Sequence, residues 1–150
     1  MKKYTLKDLK PIPTAVELIK ANPEKYLANT ESPANEIASH LMSDALALSA
    51  KRVLVQNVND WFLVSADKDW VRDNIDNISK LSNVFCRLLT IPEKCVNSFR
   101  GEVLAYTFSS NCFVFDHGKI ELIKGDAPTE DVTKLLPQDL PFSVCFSIDM

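Results

Sequence analysis

RVLVQNVNDWFLVSADKDWV, Arg52 to Val71, is the stretch from which the fold is read. RVLVQNV and WFLVSA are short runs of β-branched and aromatic residues, and Asn59-Asp60 between them is a tight-turn signal even without glycine. Together they predict a β-hairpin. Its second strand runs into ADKDWV, where an apolar pattern gives way to two aspartates, a lysine and a tryptophan. Asp69 is placed to cap VRDNI, and Val71, Ile75, Ile78 and Leu81 fall at helical spacing, so a helix is expected over Asp69 to Leu81.

On the N-terminal side, Pro11 and Pro13 bracket an extended stretch, and Thr14 to Lys20 has the apolar spacing of a short helix. Asn22-Pro23 should end it, because a residue before proline avoids the helical region. After the polar loop ANTES, Ser32-Pro33 opens a longer helix, with Ser32 as N-cap, Pro33 at the first helical position and Glu36 in the first turn. Ile37, Leu41, Ala45 and Leu48 recur at three- and four-residue steps, and Met42 and Leu46 widen the stripe.

On the C-terminal side, FCRLLTIPEK fits a helix or an irregular crossing, and EVLAYTFSS suits a helix about as well as a strand. CFVFD and KIELIK flank His117-Gly118 as a second hairpin. PTEDVTKLL resembles a short capped helix and PFSVCFSI a closing strand. Strands therefore group as antiparallel neighbours with helices gathered elsewhere, which predicts an α+β two-layer sandwich, a mostly antiparallel sheet covered on one face by helices. No repeat or linker divides residues 1–150, so one domain is expected.

With 46% apolar and 25% charged residues and a net charge of −3, the composition is that of an ordinary globular chain. It offers no global electrostatic reason to expect nucleic acid or an anionic membrane as partner. No apolar run approaches the roughly 20 residues that span a bilayer, and MKKYTLKDLKPIP lacks the apolar segment of a signal peptide. The expected location is cytoplasmic. Cys86, Cys95, Cys112 and Cys145 fit neither a CxxC pair nor a zinc finger, and three of them lie in apolar company, so reduced, mostly buried thiols and no metal are expected.

The order of elements, with several residues, resembles the ATP-binding domain of the gyrase B subunit, a Bergerat-fold (GHKL) ATPase. AVELIKANPEKYLANTE is similar to the family's short helix and proline-containing segment, with Asn22-Pro23, Tyr26, Leu27 and Ala28 at corresponding places. EIASHLMSDALALSAKRVLV stands for the helix that carries E-x-x-x-N, and ADKDWV for D-x-G-x-G. GEVLAYTFSSNCFVFDHGKIELIKG resembles the glycine-led helix, strand, turn and strand that follow, and SVCFSI the final core strand.

The resemblance implies a nucleotide pocket whose chemistry has changed. His40 occupies the place of the glutamate that activates water, and Asp44 that of the asparagine that helps hold magnesium. The adenine-reading aspartate aligns with Ala66, and only a one-residue shift would substitute Asp67. The two glycines that admit the nucleotide become Lys68 and Trp70, whose bulk fills space, with the Asp69 carboxylate between them to repel phosphate. The glycine-rich lid is reduced to Ser98-Phe99-Arg100-Gly101, and the whole chain has three glycines. Asp44 and Asp67, with Trp70 and Arg100 near them, mark the former nucleotide pocket; neither ATP nor magnesium is expected to bind.

Each of these residues has a plainer reading. His40 reads as a surface or hydrogen-bonded histidine, Asp44 as a solvated helical carboxylate, Asp67 to Asp69 as an exposed turn, and Trp61 and Trp70 as filler. The functional expectation is a non-catalytic, pseudo-ATPase domain that binds another protein or regulates one. Two alternatives are a residual ATP-binding enzyme using His40, Asp44 and Asp67, and an unrelated small α+β interaction protein such as an immunity protein or adaptor.

Overall fold

The computed structural model describes residues 5, 13–72, 80–91, 93–94 and 98–148. Helix α1, Ala15–Ala21, is set by local chemistry: Thr14 Oγ1 accepts from the Glu17 N–H at 3.2 Å, and the Glu17 carboxylate accepts from the Thr14 N–H in return. A 3-10 turn at Pro23–Lys25 follows, where proline interrupts the helix as expected. Helix α2, Pro33–Ala47, buries Ile37, Ala38, Leu41, Asp44 and Ala45.

Two details of α2 differ from the sequence reading. The Ser32 hydroxyl makes no capping bond, because the Glu36 carboxylate turns back onto the Ala28 and Asn29 N–H groups and the Asn29 side chain accepts from Ser32. Leu46 lies 49% exposed, outside the buried stripe, with Ala38 inside it instead.

Strands β1, Val53–Val58, and β2, Trp61–Ala66, form the expected hairpin, with Val58 opposite Trp61 and Asn59 at a left-handed φ of 55°. No helix covers Asp69 to Arg72; Asp69 Oδ1 instead accepts from the Val71 and Arg72 N–H groups in a local turn. The rest of that expected helix falls on residues 73–79, outside the described ones. Helix α3 spans Leu81–Phe85, and among the described residues that follow, Thr90 and Phe99 form an isolated antiparallel bridge.

Of the two readings open for EVLAYTFSS the helix is found: α4 is Glu102–Phe108. Strands β3, Asn111–Asp116, and β4, Lys119–Lys124, turn through His117 at φ 48° and Gly118 at φ 86°, the two left-handed residues of a two-residue hairpin loop. Helix α5 is Glu130–Thr133 and strand β5 is Phe142–Ser147.

The fold is α+β. Its sheet runs β1-β2-β5-β3-β4, antiparallel throughout, with the last strand inserted between the two hairpins. Register places Val64, Val144 and Val114 in one row and Leu63, Cys145 and Phe113 in the row facing the other way. The first row joins the main core with Ile19, Leu41 and Leu104 of the helices, and α2 packs over β1 and β2. The second face is not bare: Val132 and Leu136 close a smaller cluster over Leu63, Phe113 and Cys145, with Trp61 edge-on to Phe113. No helix among the described residues is long and apolar enough to cross a membrane.

Candidate functional site

A buried polar network lies between α2 and the segment that leads into α4. Asp44 is fully buried on α2, where its Oδ2 accepts from the Gly101 N–H at 2.7 Å and its Oδ1 from Lys94 Nζ at 3.1 Å. A carboxylate so placed answers the first orphan N–H groups of a helix and holds a cation on its other oxygen. Magnesium would need several oxygen ligands. Lys94 already supplies the positive charge at Asp44, and among the described residues no group of three His, Cys, Asp or Glu side chains is arranged to hold a metal ion. The residues present do not fit the ion.

His40 lies one turn earlier on the same helix. Its Nε2 is 3.0 Å from the Phe99 carbonyl oxygen, its ring packs against Phe99, and Asp44 Oδ1 is 3.6 Å away. A carbonyl can only accept, so Nε2 carries the proton and donates it to Phe99. A nitrogen committed in this way is not a base for an attacking water. His40 instead ties α2 to the segment before α4.

Gly101 is needed for close approach rather than for an unusual φ. A Cβ there would come within 2.9 Å of His40 Cδ2, 3.1 Å of His40 Cγ and 3.2 Å of Asp44 Oδ2. Gly101→Ala should therefore push α4 from α2 and weaken the Asp44 bond, costing about 1–3 kcal/mol of stability in urea unfolding.

Arg100 and Glu102 make a second pair deeper in the same region. Arg100 Nη2 donates to Glu102 Oε1 at 2.7 Å and to the Trp70 carbonyl at 3.0 Å, and both side chains are almost wholly buried. Burial pushes the Glu102 carboxyl above the ordinary range, against the pull of the Arg100 charge and hydrogen bond. Trp70 is fully buried, edge-on to Phe142 at 5.1 Å between ring centroids. The Trp70 side chain thus fills volume within the core.

Asp67 stands apart from this network. Its carboxylate accepts from the Lys51 N–H at 3.0 and 3.3 Å, and its own N–H donates to the Arg52 carbonyl. It clips the connection from α2 to β1. Of the residues singled out in the sequence, His40 and Asp44 meet across one turn, Arg100 holds the Trp70 backbone, and Asp67 joins neither group.

Lys94 and Glu102 escaped sequence reading. Glu102, two residues after Arg100, carried a usable signal in that spacing; Lys94 carried none, since its contact lies 50 positions away in the chain. Cys86, Cys112 and Cys145 are free thiols, and burial raises the last two well above the ordinary value, so they remain protonated near neutral pH. Cys95 lies outside the described residues.

A separate open cleft of about 580 Å³ lies between the His117-Gly118 turn and the stretch after α5, lined in part by Phe115, Lys134, Leu136 and Leu140. It contains none of the residues of the polar network. No protein-family model matches the chain, and no curated protein is significantly similar to it.

Proposed function

We propose that this chain is a non-catalytic Bergerat-like domain, a pseudo-ATPase that serves as a protein-binding or regulatory module. The observation that carries the reading is Trp70: aligned with a glycine that would admit the nucleotide, it is fully buried against Phe142 with its carbonyl held by Arg100. Space of that kind is incompatible with a bound triphosphate unless the core opens. The polar groups give concordant support, since the Asp44 oxygens and His40 Nε2 are all engaged by protein partners. With the concavity filled, recognition falls to the outer surface, where a protein partner is the natural ligand class.

Thermal unfolding with and without millimolar ATP and magnesium tests the reading. A ligand that binds only the folded state, present at about a hundred times its Kd, adds roughly 2.7 kcal/mol. No shift in Tm is expected. A reproducible rise that Asp44→Ala abolishes would show that a nucleotide site persists and would overturn the proposal.

A further inference from the structure

Strand β4, KIELIK, has the polarity of its two faces reversed. Its acidic residue, Glu121, lies opposite Val114 in the β3–β4 register and so faces the helices, where Arg72 Nη2 reaches it at 3.4 Å. Ile120 lies opposite Phe115 and Leu122 opposite Phe113, which places both on the outer face of the sheet, 46% and 47% exposed. An antiparallel sheet with one face toward solvent ordinarily alternates the other way. The cover that Val132 and Leu136 lay over Phe113 leaves these two side chains open. Half-buried Phe115 also lines the cleft of about 580 Å³, so apolar surface runs from Leu136 and Leu140 in the cleft out to Ile120 and Leu122.

The cleft also differs in charge from the chain as a whole. Net charge is −3, yet among the described residues that line the cleft none is acidic and Lys134 carries the only fixed charge. The carboxylates next to the lining are already engaged. Asp116 Oδ1 is 2.6 Å from His117 Nδ1 and its Oδ2 accepts from Arg72 Nη1 at 3.1 Å, while Asp139 accepts from Arg52 Nη2 at 2.7 Å. Lys134 is exposed, and its ammonium makes no ion pair among the described residues, not even with Glu130 one turn before it. We infer that this cleft docks a segment of a partner protein, which places an aliphatic or aromatic side chain among Phe115, Leu136 and Leu140 and a neighbouring carboxylate on Lys134. The inference rests on the protein-binding reading above and assigns it a surface. Charge complementarity at Lys134 selects an acidic segment, and the apolar strip along β4 gives a polypeptide contacts that a small molecule in the cleft would not reach.

A random peptide library displayed on phage and panned against the full chain tests the site. Enriched sequences should carry an aliphatic or aromatic residue beside Asp or Glu. Lys134→Glu, at an exposed position, should raise the Kd of the enriched peptides by at least about tenfold while circular dichroism stays unchanged. Replacing the peptide's acid by Lys should restore affinity for that variant, and Ile120→Lys should weaken binding to the wild type. A selection that enriches nothing, enriched peptides without an acid, or a charge reversal that fails to restore binding overturns the proposal. Peptides that bind equally well to Lys134→Glu overturn the cleft alone and leave protein binding to another surface, whereas failure of the underlying reading shows separately, as an ATP-dependent rise in Tm.

Discussion

Trp70→Ala should lower the free energy of unfolding by about 3–5 kcal/mol, the range for removing a large aromatic side chain from a packed core. The ring is fully buried in the main core and meets Phe142 edge-on, and its loss would open a cavity beside Val71 and β5 that a sheet cannot collapse to fill. Chemical denaturation with an unchanged m-value is the measurement. Trp70→Phe should cost clearly less, because it keeps a ring against Phe142 and removes an indole N–H that has no acceptor among the described residues. Asp67→Ala is the contrast: it deletes a half-exposed clip on the Lys51 N–H and should cost no more than about 1 kcal/mol. A stable Trp70→Ala protein that loses a binding partner would make the tryptophan a recognition residue and contradict the packing described above.

Removal of Arg100 should be of similar size and should depend on pH. Arg100→Ala leaves the Glu102 carboxylate buried with its counterion gone, and breaking a buried pair from one side costs about 3–5 kcal/mol. The sign with pH follows from the direction of the Glu102 shift. Burial raises its folded-state pKa above the unfolded value, so the folded protein holds the proton more tightly. That contribution is fully present below the unfolded value and is lost as pH rises through the folded one. In Arg100→Ala the charge and the hydrogen bond of Arg100, both of which hold the pKa down, disappear, the folded value climbs further, and the loss extends to higher pH. The variant should therefore lie closer to wild type near about pH 4 than at about pH 8, read from urea midpoints across that interval. Replacing both partners, Arg100→Met with Glu102→Leu, should recover much of the loss, since an apolar pair of similar volume leaves no buried charge. Equal destabilisation at both pH values would mean that Glu102 is not the titrating group.

The local elements of this protein were written in short spans of its sequence. The period-two runs around Asn59-Asp60 and His117-Gly118 specify two hairpins, because a two-residue turn sets register without help from the rest of the chain. The Thr14 and Glu17 pair and the proline after Asn22 bound α1, and the spacing of Ile37, Leu41 and Ala45 selects the buried face of α2, each within a few residues. Tertiary structure decided the remainder. EVLAYTF is apolar enough for either state, and it is helical because its buried side chains pack against the other helices rather than beside a strand. The insertion of β5 between β2 and β3, and the isolation of β1 and β4 as edges, depend on partners dozens of residues apart, to which a local pattern is blind. So does the meaning of ADKDWV: the same residues would serve an exposed turn or a recognition surface. What makes Asp67 a loop clip and Trp70 part of the core is the arrival of Lys51, Phe142 and Arg100 from three other parts of the chain, which fixes where water can reach.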